Sequence, residues 1–254
     1  MEGNRVVLRT TGWALAITGA ALLAACDQSP PERENGFTSS AAADPAARFR
    51  TMPEKQLLQI AFQTAFKDGA STLTLGDTRY AFKPEGVSWI GERAVLISGG
   101  QGDDCHGCAG TLAVHYLQPK GDALEVVGAW PQAASGTSWG QPPEWTLRTD
   151  LASNPVLETR GGGTFQGYTC SAAELVELKP DAPLTVAEGI QLGYSDEGAM
   201  AGSAAQNING KIIPGAKDQS FVVAYNGSSS ARVTYERHGE TYEKAKGSAE
   251  LPAC

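Results

Sequence analysis

The residues best suited to chemistry lie in one short stretch, GGQGDDCHGCAGT, where Cys105 and Cys108 flank His106 and follow Asp103 and Asp104. Two cysteines at this spacing can form a redox-active pair, ligate a metal as thiolates, or form a structural disulfide. Covalent haem requires a histidine directly after the second cysteine, and here an alanine follows it. A haem site is therefore excluded, and no cofactor is predicted.

The redox and metal alternatives depend on what surrounds the pair. A thioredoxin-like protein has its first cysteine at the start of a helix after a buried strand, whereas the segment after Cys108, AGTLAVHYL, is typical of a strand. A thiol–disulfide protein that uses Cys105 and Cys108 stays an alternative. A metal site would use the thiolates with His106 and either Asp103 or Asp104, but disulfide formation competes for those thiols in an oxidising compartment. No metal is predicted.

The N-terminal sequence predicts the compartment. Residues 1–12 carry two arginines and one glutamate, and the next thirteen residues, Trp13–Ala25, are uncharged and mostly apolar. A basic start, a short apolar core and small residues at the end are typical of a secretory signal peptide over residues 1–25. The apolar core is too short to span a bilayer, which takes about 20 residues.

The segment Leu23-Ala24-Ala25-Cys26 resembles the lipobox of bacterial lipoproteins. The resemblance implies cleavage after Ala25 and attachment of fatty acyl chains, such as palmitate, to Cys26. A protein with two or more chains is held firmly on a bilayer. The implied location is a bacterial cell membrane or outer membrane, with the body facing the periplasm. Asp27 is similar to the inner-membrane retention signal of enteric lipoproteins.

The remaining cysteines are Cys105, Cys108, Cys170 and Cys254, an even set with three possible pairings. We expect Cys105 to pair locally with Cys108. Cys254 is then left to pair with Cys170, a long-range closure that would pin the C-terminal segment.

Composition limits the fold and the partners. Residues 1–25 contain two of the 20 basic and one of the 28 acidic residues, so the mature chain has a net charge of −9. This charge argues against binding nucleic acid. The segment 26–50 is rich in Pro, Ser, Ala and charge, which predicts a disordered tether after the lipidated cysteine. The 30 glycines and 14 prolines favour a single, turn-rich, mainly β domain over 51–254.

One N-terminal α-helix is predicted over 52–68. Residues 51–54 match a capping box with a proline in the first turn, and Gly69 is placed to end the helix. One apolar stripe should pack on a sheet, and it consists of Leu57, Leu58, Ala61, Phe62 and Ala65.

Short apolar runs separated by turn residues predict antiparallel strands. The first two, TLTL and TRYAF, are separated by Gly-Asp and predict a hairpin. The others are 93–98, 111–117, 123–130, 144–151, 155–160, 173–178, 220–225, 231–236 and 241–246, of which the last three predict a meander.

Residues 95–119 and 156–180 share an order of Val-Leu, Gly-Gly, Gln-Gly, Cys, Leu and Pro. We interpret them as two copies of a hairpin with a long, glycine-rich loop that carries cysteine. Repeated hairpins favour a sandwich or a propeller-like meander.

Other motifs give little support for catalysis. Gly136–Gly140 matches the nucleophile-elbow pattern around Ser138, but two prolines follow where a helix should begin, and His238 is the sole downstream histidine. Gly161–Gly163 is best interpreted as a hairpin turn. Aromatic residues able to line a sugar or peptide groove are Trp130, Trp139, Trp145 and Tyr168.

The sequence as a whole favours a binding or structural module of the cell envelope, with an envelope protein or a glycan as partner. A serine hydrolase at Ser138 is the least favoured alternative.

Overall fold

The computed structural model describes residues 44–67, 71–200, 205–252 and 254, so the expected signal peptide, Cys26 and Asp27 lie outside the described residues. Neither described helix has the length and hydropathy needed to cross a membrane. The elements are α1 (Ala47–Arg50), α2 (Glu54–Ala65), β1 (Thr72–Leu75), β2 (Thr78–Ile90), β3 (Arg93–Gln101), β4 (Thr111–Lys120), β5 (Ala123–Ser135), β6 (Glu144–Arg148), β7 (Val156–Phe165), β8 (Tyr168–Leu178), β9 (Pro183–Ser195), β10 (Asn207–Pro214), β11 (Ser220–Gly227), β12 (Ala231–His238) and β13 (Thr241–Lys244).

Both sheets are antiparallel meanders in which every strand pairs with its neighbour in the chain. Strands β1–β5 form the first sheet, and strands β6–β13 form the second. The predicted mainly β class is confirmed, and two packed sheets correspond to the sandwich alternative. Each predicted strand overlaps an observed one, and the predicted Gly-Asp turn joins β1 to β2. Strands β9 and β10 were not predicted.

The first sheet lies between the helices and the second sheet. Successive side chains of a strand point to opposite faces, so Ala94 and Leu96 of β3 pack toward the helices while Val95 and Ile97 pack toward the second sheet. Buried residues of the inter-sheet core, which the two sheets share, are Val95, Ile97, Leu112, Val114, Tyr116, Ala134, Leu157, Val176 and Leu178.

The second sheet carries a separate core on its other face. That core includes Leu175 of β8, Ile190 of β9 and Phe221 of β11. The Tyr225 hydroxyl donates to the carbonyl of Gln191 at 2.7 Å, which ties β11 to β9 across this core. The C-terminal segment packs against the same core through Leu251.

Helix α2 packs on the sheet through the predicted apolar stripe. Leu57 and Ala61 are buried, and the other three stripe residues are partly buried against the same cluster. The predicted capping box is wrong, because the Thr51 hydroxyl donates to the carbonyls of Ala47 and Arg48 at the end of α1 and not to α2. The described helix ends at Ala65, and Gly69 lies outside the described residues.

The ordered domain begins before residue 51, the boundary expected from composition. Phe49 of α1 is only 1% exposed and belongs to the core beneath the helices. Burial of such a side chain contributes about 2 kcal/mol toward holding the short helix on the domain. The Arg50 guanidinium also lies 4.5 Å from the Trp89 ring centroid. The prediction of a disordered tether is therefore wrong for residues 44–50. Residues 26–43 lie outside the described residues.

Both copies of the internal repeat are hairpins, as predicted, but the predicted long loop that carries cysteine is wrong for the second copy, where Cys170 lies within β8. Strands β3 and β4 are joined by a long loop, residues 102–110, whereas β7 and β8 are joined by a two-residue turn. Gly161–Gly163 lies within β7, so its interpretation as a turn is wrong. A Cβ atom on Gly161 would lie 2.4 Å from the Gly136 carbonyl oxygen, so glycine here allows a loop to approach the strand closely.

His115 lies on the helix-facing side of β4, 4% exposed, with its ring edge-on to Phe66. Its Nδ1 has no hydrogen-bond partner among the described residues. Burial lowers the pKa of His115 from 6.5 to about 4. The folded protein therefore binds fewer protons than the unfolded chain between these values, and stability is lost as the pH falls from 6.5 toward 4.

The difference between a pKa of 6.5 in the unfolded chain and about 4 in the folded protein corresponds to about 3 kcal/mol of stability lost as the pH falls. We expect His115→Leu not to show this loss, because leucine binds no proton. Urea unfolding at pH 7, 6, 5 and 4 would measure it. The matched control is His238→Leu, which makes the same substitution at an exposed position. Equal pH profiles for wild type and His115→Leu would contradict the expectation.

Candidate ligand-binding site

Two disulfides lie at one end of the sandwich, with the pairing predicted from the sequence. Cys105 pairs with Cys108, with their Cα atoms 5.1 Å apart, and Cys170 pairs with Cys254, with their Cα atoms 5.9 Å apart. Cys105 is exposed and lies in a turn, not at the start of a helix. The second disulfide joins β8 to the C-terminal segment.

Backbone hydrogen bonds join the loop 102–110 to the loop 136–143. The amide of Gly102 donates to the Gly140 carbonyl at 2.8 Å, and the amide of Gly140 donates to the Cys108 carbonyl at 2.9 Å. The amide of Trp139 donates to the Cys105 carbonyl at 3.2 Å. The cysteine loop is thus held on both sides by the next long loop of the chain.

His106 forms the centre of an aromatic stack with Trp139 and Phe165. Its ring centroid lies 5.1 Å from that of Trp139 and 4.6 Å from that of Phe165, with both pairs stacked. Its Nε2 donates to the Thr164 carbonyl at 2.5 Å. Trp139 is 50% exposed and Phe165 is 48% exposed. Large exposed aromatic residues held in fixed positions are typical of binding surfaces.

The metal candidates do not come together as ligands. The ring of His106 is held in the aromatic stack, and Asp103 and Asp104 are exposed. Among the described residues, no three His, Cys, Asp or Glu side chains are grouped closely enough to hold a metal ion.

Trp139 has a left-handed backbone conformation, with φ of 62°. This conformation costs a residue other than glycine about 1 kcal/mol or more. We expect Trp139→Gly to be about 1 kcal/mol more stable than Trp139→Ala, because both lose the ring and glycine alone relieves the backbone. Chemical unfolding of the two variants measures the difference between their free energies of unfolding. Equal stability of the two variants would show that the backbone is not strained.

Beneath the aromatic stack lies a cavity of about 640 Å³ between the two sheets. On β7 the side chains that face the first sheet become smaller along the strand, from Leu157 in the inter-sheet core to Gly161 at the cavity. On β8 they become smaller from Val176 to Ala172. These small residues leave space that the core would otherwise fill. Other lining residues include Cys108, Ala109, Ser135, Ser138, Thr159, Phe165, Cys170, Glu174, Gly189, Gln191 and Cys254.

The pairing of β8 with β9 is irregular along the cavity. The register shifts between Ser171 and Ala172, and again on either side of Leu175. Gly189 on β9 lies at φ of 62° beside the cavity. Such bulges re-aim side chains and are common next to binding sites.

Glu174 is the one ionisable side chain among the described residues that line this cavity, since the cysteines there are oxidised. Its carboxylate accepts a hydrogen bond from the Ser135 amide at 3.2 Å. Burial raises the pKa of Glu174, and the nearby charge of Glu188 raises it further, against the lowering effect of Ser135. The cavity is therefore lined mainly by uncharged side chains, with one ionisable side chain on its wall.

Ser138 does not have the surroundings of a hydrolase nucleophile. Its amide donates to the Gly162 carbonyl at 2.9 Å, and Trp139 and Gly140 follow it in left-handed conformations, where a nucleophile elbow would continue into a helix. His238 lies at the end of β12 and does not line the cavity that contains Ser138.

The four aromatic residues proposed for a groove divide into two groups. Trp130 packs edge-on against Tyr116 at 5.0 Å, and Trp145 donates from Nε1 to Glu85 at 2.6 Å, so both have structural contacts. Trp139 and Tyr168 are exposed.

The sequence did not predict Glu174 as a site residue. Its position could have indicated one, because Glu174 lies on the same face of β8 as the apolar residues Val176 and Leu178, where a carboxylate is unusual.

Comparisons of this chain with protein families, with curated proteins and with solved structures found no match. The fold and the site therefore define only a class: a mainly β, disulfide-containing two-sheet protein with a cavity at one end.

Proposed function

We propose that this protein is a bacterial lipoprotein that is anchored through Cys26 and faces the periplasm. The signal-like segment 1–25 and the Leu-Ala-Ala-Cys sequence support this proposal. Two disulfides in the described domain agree with folding in an oxidising compartment.

The anchoring proposal is tested in bacterial cells by partition between water and detergent. The wild-type chain should enter the detergent phase, and Cys26→Ser should move it to the aqueous phase. Globomycin should cause the uncleaved form to accumulate. Asp27→Ser is the matched control and should still partition into detergent, while its distribution between the two membranes tests the sorting role of Asp27. Detergent partition of Cys26→Ser equal to that of wild type would refute lipidation at this residue.

The molecular role that we propose is binding of a small ligand in the cavity between the sheets, within the cell envelope. The observation that carries this proposal is a cavity of about 640 Å³ directly beside an exposed aromatic stack. This volume lies in the range of ligand pockets in other proteins. A glycan or the side chain of an envelope protein could supply such a ligand.

Ligand binding is tested with four small probes: 1-butanol, butylammonium, butanoate and N-acetylglucosamine. Chemical-shift titration of the full chain should show at least one probe perturbing the amides of Ala172 and Gly189, which border the cavity. Ala172→Trp should abolish the response by filling the space. If no probe perturbs these amides at millimolar concentration, the cavity is not a ligand site of this kind.

A second candidate function is thiol–disulfide exchange, which the exposure of Cys105 favours. A partner thiolate would attack the Cys105 sulfur, form a mixed disulfide and release the Cys108 thiolate. A second thiol of the partner would then resolve the mixed disulfide, so the partner dithiol is oxidised and the pair is reduced. A reduction potential below about −300 mV and no insulin reduction would identify the pair as structural.

A further inference from the structure

We propose that the cavity selects a small organic cation, a protonated amine or a quaternary ammonium group on a short hydrocarbon body, whose nitrogen faces Glu174. This inference rests on the proposed binding function and adds the chemical class of the ligand. It follows from the charge on the cavity wall, from the chemistry of the remaining walls and from the rings at the rim.

The carboxylate of Glu174 lacks a cationic partner within the described part of the chain. None of the ion pairs found there includes Glu174 or Glu188. The hydrogen-bond donor to the Glu174 carboxylate among the described residues is Ser135, which carries no net charge. A half-buried carboxylate gains most from a cation, because their attraction is stronger away from bulk water.

The charged side chains near Glu174 also favour a cationic ligand over an anionic one. Glu174 and Glu188 both line a second cavity of about 310 Å³ next to the first, so two carboxylates lie on this side of the site. Arg160 does not itself line the larger cavity, although its Nη2 donates at 3.1 Å to the hydroxyl of Ser171, which does. The charged side chains that line the two cavities are both carboxylates, so they would repel an anionic ligand and attract a cation.

The rest of the cavity suits a hydrocarbon body. Its walls include glycines, Ala109, Ala172 and the disulfide-bonded Cys108, Cys170 and Cys254, none of which has a charged side chain. The ring of Phe165 lines the cavity and belongs to the aromatic stack at its rim. Aromatic faces attract ammonium groups, an interaction that strengthens where water is excluded. Glu174 pairs with Thr159, six residues from Phe165 along β7, so a short cation meets the rings at the rim as it enters and the carboxylate once it is bound.

The experiment compares butylammonium, 1-butanol and butanoate, which share a chain length and differ in charge. Titration of the full chain should give butylammonium a dissociation constant about tenfold lower than that of 1-butanol, the effect of one charge-assisted hydrogen bond. Butanoate should not bind. Glu174→Gln, which preserves the shape of the side chain, should reduce the preference for butylammonium to less than about twofold.

The control is Glu243→Gln, which removes one exposed carboxylate on β13 and changes the net charge equally. It should leave the preference intact. If 1-butanol binds as tightly as butylammonium, the cation inference fails and the proposed binding function survives. An unchanged preference in Glu174→Gln would also overturn the inference. If none of the probes binds, both proposals fail together.

Discussion

Replacing Cys170 and Cys254 together with serine should lower the free energy of unfolding by about 4.5 kcal/mol. The two cysteines are separated by 84 positions. A cross-link over a loop of this length removes much of the conformational entropy of the unfolded chain, and the chain-entropy relation gives the stated magnitude. The disulfide also holds the segment that includes Pro252, whose carbonyl accepts a hydrogen bond from Gln191 at 2.9 Å.

The double variant Cys105→Ser/Cys108→Ser is the matched control. It also removes one disulfide, but the loop spans only three positions in sequence, so the same relation gives about 2 kcal/mol. Guanidinium unfolding of both double variants and of wild type would measure the difference. A smaller loss for the Cys170–Cys254 variant than for the control would contradict the assignment of the long closure as the main covalent stabiliser.

Replacing Arg237 with methionine should destabilise the protein by about 3–5 kcal/mol. Its Nη2 donates to Glu177 at 2.7 Å, and the two side chains are only 13% and 3% exposed. Asn154 donates to the other carboxylate oxygen of Glu177 at 2.7 Å. Without Arg237 the buried carboxylate loses its charged partner but keeps its cost of desolvation, which makes the loss large.

Two further variants separate this effect from loss of packing. Arg48→Met removes an exposed arginine that pairs with Asp122, and it should cost less than about 1 kcal/mol. The double variant Arg237→Met/Glu177→Gln should recover part of the stability, since a neutral amide no longer needs a cation. If the double variant is less stable than Arg237→Met, the buried charge is not the cause of the destabilisation.

The fold class could be predicted because most strands here are short apolar runs between turn residues. Strand β9 escaped prediction because Pro183, Gly189 and Gly193 interrupt its apolar pattern, and its pairing with β8 contains register shifts. Strand β7 was predicted only in part, because three consecutive glycines are poor strand formers when judged locally. Their place in the sheet depends on a loop that packs against them, which is a tertiary contact.

The disulfide pairing could be predicted because the cysteines are few and their spacing is distinctive. The cavity could not, since it arises where small residues of β7 and β8 meet loops from the first sheet. Glu174 appears in the sequence as an ordinary strand glutamate, and only the inter-sheet packing places its carboxylate on a cavity wall. Likewise, the burial of Phe49 depends on a sheet formed later in the chain.

The sequential strand order has a consequence for how the chain matures. Each strand can dock onto the one made just before it, so the first sheet can be complete while most of the second is still emerging. Cys105 and Cys108 can then be oxidised early and locally, whereas Cys170 must wait until Cys254 has been made, 84 positions later, before it meets its partner. Formation of the second bond should thus follow completion of the second sheet, and a free thiol at Cys170 should identify molecules in which that sheet is not yet closed by the disulfide.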